Sequence, residues 1–308
     1  MPKLNVQQNN QNVIQSLANG VAIGQLNGII KCDGANNFSV AEAGGGGGRN
    51  LLDNPWWGSG EVVNQRAANQ LNPSAYGIDR WKGGSSGSVS VTSTGLAFGS
   101  SGGNAWQPME SVLRAWMVGK VFTASVLMSD GTIYSGQGTY GTGTTYFLSN
   151  PVELFISSAG NFNVRTSSAA TVRAVKLELG SVSTLANDAP PDYAEELRKC
   201  QYYFVRLHET ANYGYFPVGF GAEQASSALR MAIMTPTSLR RAPVTVSFSG
   251  TLNITGNGTR TTVTSMSILD VSDTAVLVSV VPASMPANQH TYTLSFGAQA
   301  YIDLSADL

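Results

Sequence analysis

The sequence predicts an all-β protein: an N-terminal extended or helical arm followed by two β-sandwich domains of the jelly-roll kind. Three observations carry this. Charged residues make up only 12% of the 308 residues, about half the ~25% of an ordinary globular chain. Glycine is abundant at 34 residues, with Ser, Thr and Asn alongside it, as tight turns require. Short runs of alternating apolar and polar residues recur along most of the length, separated by Gly/Ser/Asn turns, which is the spacing of a sandwich or jelly roll. A hydrophobic content of 42% is enough to fill a core and argues against disorder.

The first unit spans residues 49–191. Trp56, Trp57 and Trp81 lie near its start and read as core. Residues 88–98 (SVSVTSTGLAF), 120–128, 132–134, 144–148, 152–157 and 161–168 read as strands, and residues 171–179 as the last one. In that last strand Val175, Leu177 and Leu179 alternate with Lys176 and Glu178, the period of a strand buried on one face. Pro190 and Pro191 then end the pattern, because proline cannot donate to a ladder.

A linker helix follows over residues 192–204. Asp192 is placed to cap it and Glu195, three residues on, to complete a capping box. Tyr193, Leu197, Cys200 and Phe204 share one face. Residues 205–308 form the second β unit, with period-2 runs at 229–236, 244–250, 251–256, 262–271, 274–281 and 290–296, and a closing strand in AYIDL.

Residues 1–48 are an attachment arm and not a domain. Residues 7–21 can form a short helix with Val13, Ile14, Leu17 and Val21 on one side. Such a helix is marginal alone and needs copies of itself to cover the stripe; a frayed arm is the equal alternative. Residues 27–43 read as an extended connector and Gly44–Gly48 as a hinge.

Several segments carry a resemblance. VKLELGS, the proline-ended spacer, YAEELRKCQYYF and the chain end AYIDLSADL look like the tail-fibre and receptor-binding proteins of phages and prophages of gut bacteria. RNLLDNPWWGSGEVVNQRA with YGIDRWKGG resembles the opening of the carbohydrate-module-like jelly roll of those proteins, and NGIIKCDGANNFSVAEAG resembles a connector found in tail fibres. The resemblance implies a non-enzymatic virion protein, made in the host cytoplasm and forming a homotrimer. It would be held to other virion proteins by its arm and would adhere to a host surface polysaccharide or other envelope receptor. A purely architectural virion component and a capsule depolymerase are the rival expectations.

The residues exclude several function classes. A net charge of −1 without a basic stripe does not suit nucleic acid. No apolar stretch in the sequence approaches the ~18 residues of a membrane span. G-x-S-x-G occurs at Gly83–Gly87 and Gly99–Gly103, but both matches read as lying inside Gly/Ser-rich loops with strands around them and not between a strand and a helix, so the pattern reads as chance. Cys32 and Cys200 stand far apart, and only His208 and His290 could join them at a metal, so neither a disulfide nor a zinc site is expected. Asp53, Glu61 and Asp79 are the oxygen ligands available for a structural calcium ion, but they lack an ordered-ligand pattern. Asp79 reads instead as a buried or turn-stabilising partner of Arg80. No cofactor is expected. Sugars are held by aromatic faces with amides and hydroxyls at their edges. Tyr140, in GTYGTGTT, and Tyr213 and Tyr215, in NYGYF, are the candidate contact aromatics; packing in hairpin corners or at subunit contacts is the alternative at each.

Overall fold

Alternating side chains decide which face of each strand is buried, and in the computed structural model of the chain they are gathered into sheets with almost no helix between them. The structure describes residues 29–32, 38–41 and 48–308, apart from residues 59, 74, 209–216, 226–227, 241–244, 257–258, 273, 286–290, 298–299 and 308. The arm helix expected at 7–21, the glycines of the hinge before Gly48, Tyr213, Tyr215 and His290 lie outside the described residues. Met1–Arg49 and Asn50–Leu308 are separate units. Within the first, β1 (Ile29–Cys32) and β2 (Phe38–Ala41) pair antiparallel, Ile29 opposite Ala41. Residues 29–32 and 38–41 of the segment read as an extended connector are therefore paired strands.

In the second unit, the strands are β3 (Lys82–Thr92), β4 (Gly95–Pro108), β5 (Val121–Met128), β6 (Ile133–Thr139), β7 (Thr145–Leu148), β8 (Glu153–Ile156), β9 (Asn161–Thr166) and β10 (Ala170–Leu179). They form one sheet in the order β6-β5-β10-β4-β9-β8-β7, with β3 on β4. Residues 88–98, read as one strand, are in fact a hairpin. Thr92 Oγ1 donates to the Gly95 carbonyl at 2.7 Å. Gly95 has φ 142°, and a Cβ there would lie 2.2 Å from the Val172 carbonyl oxygen. The outer strands β6 and β7 approach each other backbone to backbone. A Cβ on Gly136 would sit 1.9 Å from the Phe147 carbonyl oxygen, so glycine is what lets this sheet nearly close on itself. Both G-x-S-x-G sequences, read as loops from their composition, lie instead within β3 and β4, with no strand-to-helix turn for a nucleophile.

The core of this unit forms around Trp57 and Trp81, both fully buried, their rings edge to face at 4.8 Å. Both indole N–H groups donate to the Asn54 carbonyl, at 2.9 and 3.0 Å, so neither is buried unpaired. Trp56 is buried in a smaller cluster with Ala174 and Leu185.

Strand β10 differs from its sequence reading. Val175 and Leu177 enter the core as expected, but Lys176 and Glu178 are also 1% exposed. A 3-10 turn at Leu185–Asn187 follows that strand, and the segment carrying it supplies partners. Lys176 Nζ donates to Thr184 Oγ1 at 2.7 Å and Asp188 Oδ2 at 2.5 Å, while Glu178 accepts from the Thr184 amide and hydroxyl at 2.8 and 2.6 Å. Leu179, expected inside, is 52% exposed. Helix α1 (Ser111–Met117) has no counterpart in the sequence reading; it buries only Met117.

The chain continues through helix α2 (Tyr193–Gln201) into β11 (Phe204–His208), β12 (Pro217–Ala225), β13 (Ala228–Met234), β14 (Thr245–Ser249), β15 (Leu252–Gly256), β16 (Thr259–Val271), β17 (Ala275–Pro282), β18 (Tyr292–Phe296) and β19 (Tyr301–Ser305). This part goes further than an open sandwich. Strands β12-β13-β17-β16-β15-β18 close into a barrel, and β11-β19-β14 form a three-stranded sheet. The alternation on β13 and β17 sends Leu229, Met231, Ile233, Val276, Val278 and Val280 inward, where Ile302 and Leu304 of β19 join them in one core. Closure removes sheet edges that an open sheet would have to protect.

The two β units meet directly and not through a free linker. Arg66 of the first unit reaches Asp307 of the second at 2.5 Å, and the Ala306 and Arg240 amides tie the second unit to the end of the linker helix, donating to the Tyr203 and Tyr202 carbonyls at 2.7 Å. Arg240 pairs with Glu110 at 3.0 Å.

Candidate functional site

Helix α2 is the wall shared by two clefts at this junction, and its sequence explains how it is held. Asp192 caps it, its side chain accepting from the Glu195 amide at 3.0 Å. Glu195 and Glu196 occupy the first turn and Arg198 and Lys199 the last, as the helix dipole favours. The expected apolar stripe is only partly the buried one. Cys200 is buried, but so is Glu196, at 3% exposed, while Tyr193 is 46% exposed. Glu196 is buried because it is fully used: it accepts from the Asn54 amide at 2.8 Å and from Lys199 Nζ at 2.5 Å. This anchors the helix to the first β unit. Burial pushes the Cys200 thiol well above its ordinary value, reinforced by the nearby carboxylates Asp79, Asp53 and Glu196.

The first cleft, about 520 Å³, is lined by Asp53, Arg198, Lys199, Tyr202, Tyr203, Thr237 and Ser238. Its floor is rigid. The Asp53 amide donates to Gln107 Oε1, and the Asp53 carbonyl accepts from Gln107 Nε2 and Trp81 Nε1. Asp53 Oδ2 accepts from Arg80 Nε at 3.0 Å. The Arg80 guanidinium lies 3.5 Å from the centre of the Tyr203 ring, and Arg80 is held in the left-handed region at φ 72°, a strained conformation for a long side chain. Tyr203 donates to Glu110 Oε1 at 3.0 Å. Its phenol is pushed above the usual range, chiefly by burial, with Arg80 opposing and Asp53 and Glu110 adding, so it remains a neutral donor. Tyr202, edge to face with Tyr203 at 5.1 Å, is 44% exposed. Its exposed ring lines the cleft with the Asp53 carboxylate, the Arg198 guanidinium and the exposed Ser238. Thr237 Oγ1 is buried without a hydrogen-bond partner among the described residues.

The second cleft, about 550 Å³, lies against the other side of α2. Its lining includes Tyr193, Leu197, Gln201, Arg206, His208 and Tyr301. Arg206 forms a two-pronged pair with Asp303, both contacts 2.7 Å, and stacks 4.0 Å from the centre of the Tyr301 ring, fixing that ring in place. Gln65 caps the free edge of β11, donating to the Phe204 carbonyl at 2.9 Å and accepting from the Arg206 amide at 3.5 Å. Strand alternation turns the Arg206 carbonyl and His208 amide toward the same edge.

A buried charge cluster backs the junction. Asp79 is 1% exposed. Its Oδ2 accepts from the Gln65 amide at 2.8 Å and its Oδ1 lies 3.5 Å from Arg66 Nε, while Arg66 Nη2 reaches Asp307 Oδ2 at 2.5 Å. Burial raises the Asp79 carboxyl from 3.8 to about 6, against the lowering effects of Gln65 and Arg66. The pairing of Asp79 with Arg80 suggested by adjacency is therefore replaced by one with Arg66, and Arg80 serves Asp53. The three oxygen ligands considered for calcium each meet an arginine, since Glu61 pairs with Arg173 at 2.5 Å. Among the described residues no group of three His, Cys, Asp or Glu is placed to hold a metal ion.

Tyr140 is not the exposed contact its glycine neighbours suggested. It is 6% exposed within the first core, covered by chain distant in sequence. Its remaining edge lines a hollow of about 270 Å³ with Arg114 and Thr142. Tyr213 and Tyr215 lie outside the described residues, so the structure brings none of the expected contact tyrosines to the α2 clefts. Tyr193 and Tyr202 are surface residues that sequence reasoning missed. One signal was available: Tyr202 and Tyr203 are adjacent at a helix end, and neighbours ~100° apart cannot share one buried face.

Compared with known proteins, the chain matches no family model, no curated protein and no solved structure.

Proposed function

We propose that this chain is a non-enzymatic virion fibre or tail protein that adheres to a bacterial surface through glycans, and that the first cleft beside α2 is where a sugar binds. The observation that carries this reading is the makeup of that cleft: an exposed Tyr202 face beside Asp53, Arg198, Thr237 and Ser238. A pyranose has apolar C–H faces and polar edges, so a ring face with mixed donors and acceptors around it is its complement. The arrangement suits binding better than hydrolysis. Glycoside cleavage needs two facing carboxylates with separate roles, whereas Asp53 is tied to Arg80 and the nearby Glu195 and Glu196 are taken by Lys199. The virion assignment, the homotrimer and the attachment arm rest on the resemblance of the sequence to tail-fibre and receptor-binding proteins.

The test is binding of the labelled full-length chain to a panel of enteric bacterial cells and to a printed array of their surface polysaccharides. Tyr202→Ala and Arg198→Ala are each expected to lower binding tenfold or more, with folding verified by circular dichroism. Full binding by both variants would remove this cleft. Release of reducing sugar from any bound polysaccharide would replace adhesion by hydrolysis.

A further inference from the structure

We infer that the outer face of the barrel across β12, β13, β17 and β16 is a contact surface for further copies of this chain. Adjacent strands place Phe220 opposite Ala232, Ala232 opposite Leu277, and Met234 opposite Ala275. All of these point outward, since their neighbours Met231, Ile233, Val276 and Val278 fill the barrel. Phe220 is 64% exposed and Met234 62%, with Leu269 of β16 at 43% beside them. Large side chains flank the small Ala232 and Ala275, leaving ridges next to hollows. A monomer rarely leaves such a contiguous apolar face in water.

The face is local and not a general property of this part of the chain. On β14 the outward positions are Thr245, Ser247 and Ser249, and the first half of β16 presents Thr262, Thr264, Ser265 and Ser267. Alternation there is polar outside, as a soluble sheet requires, whereas the patch is apolar on both sides.

Charge identifies the occupant. On β13, Arg230 is exposed two residues from Ala232; on β16, Asp270 is exposed opposite Leu277. Strand β17 lies between them, and neither is in an ion pair among the described residues. The patch thus carries an anion on its β16 side and a cation on the inner strand β13, with Phe220 of β12 beyond it. Rotating a copy about an axis facing β17 brings β13 of one chain to β16 of the next, Arg230 to Asp270. A closed symmetric assembly needs surfaces that match in this way, and a partner bearing only one sign of charge would satisfy one of these charges and oppose the other.

The test is sedimentation equilibrium of the full-length chain across micromolar concentrations, in low and moderate salt. The expected mass is a small multiple of 32.4 kDa, three chains where the tail-fibre reading also holds. Phe220→Asp and Met234→Asp, at exposed positions, are expected to weaken association at least tenfold with unchanged circular dichroism and melting. Arg230→Glu and Asp270→Arg are each expected to weaken it, and the two together to restore it. A single-chain mass for the unmodified protein overturns the inference. So does association untouched by Phe220→Asp and Met234→Asp, which would place self-contact elsewhere. A charge-swapped double variant as weak as the single ones would remove a second copy as the occupant. None of these outcomes depends on glycan binding, so the two proposals fail separately.

Discussion

Replacing Asp79 by Asn should remove a pH dependence built into the junction. Asp79 is 1% exposed, and its carboxyl is raised from 3.8 to about 6, chiefly by burial. An unfolded chain releases that proton near pH ~3.9, so the folded state holds a proton that the unfolded state gives up between about pH 4 and 6. The contribution of Asp79 to stability is therefore greatest below pH ~4 and declines as pH rises through ~6. A shift of about two units at ~1.4 kcal/mol each is about 3 kcal/mol. The side-chain amide of Asp79→Asn imitates the neutral carboxyl at every pH, keeping an oxygen for the Gln65 amide. The assay is urea unfolding followed by tryptophan fluorescence from pH 4 to 8. Subtracting the variant from the unmodified protein cancels groups common to both. The difference should fall by about 3 kcal/mol from pH 4 to 7. A flat difference, or one that rises with pH, would refute the reasoning: Arg66 would then hold Asp79 ionised throughout.

Three shorter predictions concern the first β unit and the helix. Gly136→Ala puts a Cβ 1.9 Å from the Phe147 carbonyl oxygen, so β6 and β7 must separate; a loss of about 1–3 kcal/mol is expected in thermal or urea melts, and an unchanged midpoint would mean that the two strands do not touch in solution. Lys176→Ala leaves Glu178 and Asp188 without their cation on a buried face, at about 3–5 kcal/mol; a loss below about 1 kcal/mol would show that water reaches that face. The Cys200 thiol, fully buried and raised by desolvation, should resist a thiol reagent until denaturant is added, and peptide mapping of native protein showing modification there would contradict its burial.

Local pattern carried most of the strands. Runs read from alternation alone at 120–128, 161–168 and 274–281 match β5, β9 and β17 closely. The all-β class followed from the same signal. Three things lay beyond it, each for a physical reason. Residues 88–98 hold two alternating runs, Val89–Val91 and Leu96–Phe98, and only a shift of phase between them marks the turn, which Thr92 and Gly95 close with a side-chain hydrogen bond and a left-handed glycine. Lys176 and Glu178 look like a solvent face, since the segment that satisfies them comes after the strand. Barrel closure depends on which strands find each other across long separations, β12 with β18 for example, and period alone does not encode pairing. The clefts were the least legible part. The first is assembled from Asp53, the end of α2 and residues 237–238, the second from residues 64–67, α2, β11 and residues 300–301, so no single stretch of sequence contains one, and Tyr140 reads as exposed because its glycine neighbours do not show that it joins the first core.

The junction explains why a chain with few charges spends so many of them in one place. Arg66, Asp79 and Asp307 form one linked set, Arg80 and Asp53 another, with Glu110–Arg240 and Arg206–Asp303 on either side of α2. Ion pairs of this kind add little net stability, because desolvation offsets attraction, but they fix geometry, and a cleft whose walls are already fixed loses less entropy when a ligand enters. On the proposed reading, a small sugar in such a cleft makes few contacts, so one site should hold weakly and strength would come from repetition on a common body. Phe220→Asp should then separate two quantities. Affinity for a soluble oligosaccharide that fits the cleft should stay the same, since the barrel face does not line it, whereas retention on whole cells should fall by tenfold or more as the assembly comes apart. Equal losses in both measurements would mean that the barrel face itself touches the sugar. No loss on cells would mean that each chain grips alone, and the case for repeated weak contacts would end there.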